Sequence, residues 1–75
     1  MPSRPRFTEH ARDQMKARQV TEADVQSALN RPSVPPRVGS NGAIVQLGFA
    51  GRGRILKVVL SADRQEIITV AWPDE

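Results

Sequence analysis

The chain has 75 residues, eleven Lys and Arg against eight Asp and Glu, and no cysteine. That length holds one domain, 1–75, which buries only about 60% of the surface its unfolded chain exposes. The lack of cysteine excludes disulfides, thiol catalysis and the usual zinc sites, and no apolar run approaches the roughly 20 residues of a membrane helix. A cytoplasmic protein without membrane, metal or cofactor is therefore expected.

Residues 1–7, MPSRPRF, carry Arg4 and Arg6 with no apolar stretch behind them. They read as a basic, disordered arm rather than a secretory signal. Thr8 is a suitable N-cap for a first helix from Glu9 to about Gln19. Thr21 and Asp24 have the spacing of a capping box, and Val20 with Val25 that of a hydrophobic staple. A second helix should run from Glu22 to about Asn30, its stripe being Val25, Ala28 and Leu29. Arg31-Pro32 ends it, because proline disfavours helix in the residue before it.

Residues 32–42, PSVPPRVGSNG, cannot be helical; Pro35, Pro36 and Val38 suit a short edge strand. Asn41-Gly42 signals a tight hairpin turn with positive φ at both central positions. Three strands follow. Ala43–Phe49 alternates with Val45, Leu47 and Phe49 on one face. Arg54–Ser61 places Leu56, Val58 and Leu60 on one face and Ile55, Lys57 and Val59 on the other. Glu66–Trp72 is the last strand. The expected architecture is α+β: two N-terminal helices packed on one face of a three- to four-stranded antiparallel sheet. The other face is then partly open, with Ile55, Val59 and Ile67 on it, for a partner to cover.

Charge is unevenly spread. Every acid lies in 9–24 or 63–75, and between Val25 and Ala62 stand Arg31, Arg37, Arg52, Arg54 and Lys57 alone. A one-signed stretch of this kind is either a solvated surface or a basic face for phosphates.

On the first helix a residue advances about 100°. With His10 at zero, Phe7, Ala11 and Met15 mark the buried arc at roughly 60° to 140°, and Arg18 falls inside it at about 80°. An arginine so directed either packs its stem and bonds carbonyls or pairs with an acid, or it faces a ligand such as phosphate. His10, the sole histidine, sits at the margin of the arc, as a boundary residue or an acid–base group. No second histidine offers it a metal.

HARDQMKARQV, residues 10–20, followed by TEADVQSAL, resembles domain-of-unknown-function family 4258. His10, Ala11, Met15, Arg18 and Val20 match its pattern in order, and Ile68-Thr69-Val70-Ala71-Trp72 resembles its closing strand. Gln14 stands where the family usually has arginine, and Gln19 where it usually has glycine. The resemblance implies kinship with the barnase, EndoU, colicin and RelE ribonuclease toxins, hence a RelE/barnase-like fold. It further implies a small prokaryotic toxin-like protein that cleaves RNA without metal by 2′-hydroxyl attack and is neutralised by an antitoxin. On that reading His10 is the acid or base, Arg18 binds the scissile phosphate, and Thr69 bonds phosphate or orients His10. Trp72 stacks on a base or anchors the core, and Arg52 and Arg54 add RNA contacts. Lys57 joins them if the hairpin register gives it a face with Thr69. The alternative is a non-catalytic RNA- or protein-binding module of the same fold. A homodimer that buries His10 is the third reading.

Overall fold

The computed structural model describes residues 5–39 and 41–73. Their order is β1 (Arg6–Phe7), α1 (Glu9–Arg18), α2 (Glu22–Asn30), β2 (Arg37–Val38), β3 (Ile44–Phe49), β4 (Ile55–Leu60) and β5 (Glu66–Ala71). Among them no helix is long and apolar enough to cross a membrane.

Both helices begin where the caps require. The Thr8 hydroxyl accepts from the Ala11 N–H, and Thr21 and Asp24 form the reciprocal capping box. Val20 and Val25 are both buried beneath that box. α1 ends in a Schellman-type turn: Val20 N–H donates to the Met15 carbonyl at 2.8 Å, and Gln19 N–H to that of Lys16 at 3.4 Å. This turn forces Gln19 into the left-handed region, φ 57°, where glycine carries no Cβ penalty.

The five strands form one mixed sheet in the order β1-β5-β4-β3-β2. The expected antiparallel part is present as β2, β3, β4 and β5, and β1 adds a parallel strand on β5. The arm expected over 1–7 is thus corrected at Arg6 and Phe7; residues 1–4 lie outside the described residues. A two-residue strand leaves no periodic signal. What holds it is Arg6 N–H donating to the Gln65 carbonyl at 2.8 Å and Thr8 N–H to that of Ile67 at 3.1 Å. The Asn41-Gly42 turn is also wider than expected, because strand pairing stops at Val38 and Ile44. Only Gly42 of the two takes positive φ; Asn41 instead accepts the Ala43 N–H through its side chain.

Both helices pack on one face of the sheet, α1 over β5 and α2 over β3 and β4. The core between them includes Ala11, Met15, Val25, Ala28, Leu56, Val58, Ile67 and Val70. Ile67, expected on the open face, is fully buried. The cause is a β-bulge: Leu60 pairs with Ile67 but Val59 pairs with Thr69, leaving Ile68 as the extra residue. The Thr8 hydroxyl donates to the Ile67 carbonyl at 2.9 Å beside this bulge. Just beyond it, Val70 N–H donates to Gln14 Oε1 at 3.0 Å, where β1 no longer runs alongside.

α2 lies very close to β3. A Cβ on Gly48 would fall onto the Ala28 carbonyl, only 2.7 Å from its carbon. Gln46, the one buried polar residue described in the core, donates its amide to the Leu29 carbonyl at 3.1 Å, and Ser27 Oγ donates to the Phe49 carbonyl at 2.8 Å. The helix-facing side of β3 is therefore Ile44, Gln46 and Gly48, and Val45, Leu47 and Phe49 face the other way.

Two stability measurements check this packing. Gly48→Ala should cost about 3 kcal/mol, since the obstacle is backbone rather than a movable side chain; the thermal midpoint should fall by roughly 10 °C or more. Gln19→Gly should raise stability by about 0.5 to 1 kcal/mol by relieving the left-handed cap. An unchanged or lowered midpoint for Gln19→Gly would contradict the strain assigned to that residue.

Candidate functional site

A cleft of about 420 Å³ opens where the end of α1, the start of α2, the β3–β4 loop and the end of β5 meet. Arg18, Arg52, Arg54 and Trp72 line it, with Gln19, Thr21, Asp24 and Ala50. Each element delivers its residue for a local reason. Arg18 is the last residue of α1, on the inward arc that helix geometry assigned it, and is half-buried. At that end its charge also interacts favourably with the helix dipole. The bulge gives Trp72 the same side of the sheet as Val70, so its indole tucks under α1. There Nε1 donates to the Arg18 carbonyl at 3.0 Å. Gly51 and Gly53 flank Arg52 in the exposed β3–β4 loop, and Gly53 has φ 79°.

Two contacts anchor that loop. Asp24 Oδ1 accepts the Gly51 N–H at 3.3 Å while Oδ2 accepts the Thr21 N–H at 3.1 Å. Arg54 lays its guanidinium over the Trp72 ring, 4.2 Å from the centroid, a cation–π contact that also presents a planar cation toward the cleft. Among the described residues the cleft holds three guanidinium groups, one indole and a single carboxylate, Asp24, whose two oxygens both accept backbone N–H groups. This set suits a ligand with negative charge and a planar ring. It supplies electrostatic attraction and stacking, and it contains no histidine.

The residues singled out in the sequence separate into three places. Arg18, Arg52, Arg54 and Trp72 come together in the cleft. His10 is exposed on the first turn of α1, eight residues and therefore about 12 Å along the axis from Arg18. Thr69 pairs with Val59 and lies on the sheet face away from the helices; Lys57, two residues from Val59, shares that face. Lys57 thus meets the condition set for it, but on the side opposite α1. The expected convergence of His10, Arg18 and Thr69 does not occur, because the bulge sends Val70 and Trp72 toward the helices and Thr69 away from them. The turn alone does not fix this register. Ser61 and Asp63 shape it: Asp63 Oδ1 accepts the Ser61 hydroxyl at 2.6 Å and the Gln65 N–H at 3.0 Å. These bonds hold the Asp63 carboxyl below its ordinary range.

Sequence reading passed over Asp24 as a loop anchor and Gln14 as a partner for β5. Asp24 carried a signal, its capping-box spacing, but one carboxylate oxygen was enough to account for it. Gln14 had no local signal, since its partner is 56 residues away.

No curated protein and no solved structure matches the chain. A family model described as "Domain of unknown function (DUF4258)" matches residues 7–72, from the first strand through the cleft tryptophan. Nearly the whole described fold lies within that match, and the chain belongs to the DUF4258 family.

Proposed function

We propose that this domain binds single-stranded RNA in the arginine–tryptophan cleft, with phosphates on Arg18 and Arg52 and a base on the Arg54–Trp72 shelf. The observation that carries the reading is the convergence of three arginines and the chain's one tryptophan from three separate parts of the fold. Stacking on an aromatic or guanidinium plane together with phosphate neutralisation is how single strands are held without base pairing. A free base meets the guanidinium plane of Arg54 first, since that group already covers the indole. Under the same reading the domain is a toxin-like relative of the barnase, EndoU, colicin and RelE ribonucleases, in a prokaryotic cytoplasm and subject to an antitoxin.

Binding without turnover is the form of this proposal. Cleavage by 2′-hydroxyl attack needs a proton acceptor and a proton donor at the scissile phosphate. His10 stands about two helical turns away, and Thr69 is on the other face of the sheet. Asp24, the carboxylate described in the cleft, is bonded to the Thr21 and Gly51 amides.

The chain has one tryptophan and no tyrosine, so its intrinsic fluorescence reports on the cleft alone. Titration with a short single-stranded RNA should change Trp72 emission. The logarithm of the binding constant should fall with the logarithm of salt with a slope of about −1.4, from two phosphate-binding arginines at about 0.7 each. Arg52→Ala with Arg54→Ala should weaken binding by about tenfold or more and flatten that slope to about −0.7. Unchanged emission, or binding indifferent to salt, would overturn the assignment.

A second assay separates binding from catalysis. RNA incubated with the protein in EDTA should remain intact, and His10→Ala should bind it as the unaltered chain does. Cleavage in EDTA that disappears with His10→Ala would replace the binding reading with the metal-independent nuclease.

A further inference from the structure

The sheet face away from the helices is unusually apolar for a surface. Val45, Leu47 and Phe49 of β3, Ile55 and Val59 of β4, and Ala71 of β5 share it by register. Ile55 is 41% exposed, and Val34, beside the same face, is 45% exposed. The face is sculpted rather than flat. A groove of about 250 Å³ runs between Val34, Val45 and Leu47, with Arg37 and Lys57 beside it. A second, of about 360 Å³, lies between Leu47 and Ile55 next to Arg54. Leu47 and Pro73 border both. Among the described residues, neither groove has an acid in its lining.

We infer that this face receives an amphipathic helix of a partner protein, with aliphatic side chains in the two grooves and carboxylates on Arg37 and Lys57. Charge complementarity selects the partner: the floor is aliphatic and the charged residues described on the rims are cationic, so the ligand must be apolar on one stripe and acidic beside it. A second copy of this chain is the poorer occupant. A two-fold interface places the same patch on both sides, which sets the cationic patch of Arg37 and Lys57 against that of the other copy. A nucleic acid is poorer too, because among the described residues no aromatic ring lines the grooves to stack a base and their walls are aliphatic. A membrane surface favours apolar side chains that project, whereas Val45, Leu47 and Val59 are half-buried.

The edge of the sheet argues that the partner brings a helix rather than a strand. β2 is only two residues long, and Pro32, Pro35 and Pro36 precede it without N–H donors. Such an edge offers little to an added strand. A helix instead completes the layer missing on this side, as α1 and α2 do on the other. The proposal does not rest on the RNA reading, since Arg37 and Lys57 take no part in the cleft.

The test uses a synthetic peptide of about four helical turns, with leucine along one stripe and glutamate flanking it. A control peptide has the same composition in an order that breaks the stripe. Amide shifts in labelled full-length protein should move at Val45, Leu47, Lys57 and Val59 with the first peptide and not with the control. Arg37→Glu with Lys57→Glu, two charge changes outside the core, should weaken binding at least about tenfold while circular dichroism stays unchanged. The single-stranded RNA should leave peptide binding in place. The inference is overturned if neither peptide binds, if both bind alike, or if the shifts map to the helix side. It also fails if the protein instead associates with itself or with anionic phosphatidylserine vesicles while ignoring the peptide.

Discussion

The β-bulge at Ile68 decides which side chains of the last strand meet the helices. Side chains alternate along a strand, so one inserted residue exchanges the two faces for everything after it. Before the bulge, Ile67 points to the core; after it, Val70 and Trp72 do, and Thr69 and Ala71 do not. An unbulged strand would present Trp72 to the opposite face and leave the end of α1 without its indole. Thr8 secures the arrangement. Its one hydroxyl oxygen accepts from Ala11, capping α1, and donates to the Ile67 carbonyl. The start of the first helix and the irregularity of the last strand are thus a single hydrogen-bonded unit.

On the other side of the sheet's midline the constraint is contact without a side chain. The last turn of α2 rests on Gly48, and the amide of Gln46 meets the carbonyls left unpaired at that helix end. Helix C-termini leave such carbonyls without partners inside the helix. A buried glutamine satisfies them here at a place where an apolar side chain would not. The consequence lies on the reverse of β3. With Gly48 and Gln46 committed to the helix, the apolar residues Val45, Leu47 and Phe49 occupy the uncovered face. Alternation along β3 leaves them no other side to take.

The helices were legible in the sequence because their signals are local: Thr8, Thr21 and Asp24 act within one turn of themselves. Two of the three longer strands, Ala43–Phe49 and Arg54–Ser61, were legible from alternation. What escaped depends on pairs far apart in the chain. β1 has only two residues and acquires its identity from Gln65 and Ile67. The bulge needs Thr8 and Ile67 to be known neighbours, and turn length alone left the register open. The same division runs through the site. The direction of Arg18 followed from helix geometry, and Arg52 and Arg54 stood out as part of an acid-free stretch. Trp72 came from the resemblance, and its side of the sheet is set by the bulge. Thr69 matched the family pattern equally well, yet the bulge carries it to the opposite face from Arg18.

The cleft is assembled from element ends, and its stiffness comes from two anchors on an otherwise permissive loop. Gly51 and Gly53 give the β3–β4 connection its freedom, and the Asp24 carboxylate removes much of it by holding the Gly51 amide. At the other end Arg54 is clamped on the indole of Trp72, whose own N–H is fixed to α1. Ordering a long side chain at an interface costs on the order of 0.5–1.5 kcal/mol, and an arginine already stacked has met part of that cost. Arg52, exposed at the loop between these anchors, is free of neither the loop's geometry nor its charge: it must stand beside Arg18 and Arg54. The fold therefore sets its cationic and aromatic groups on an ordered frame, fixed by contacts within the chain itself.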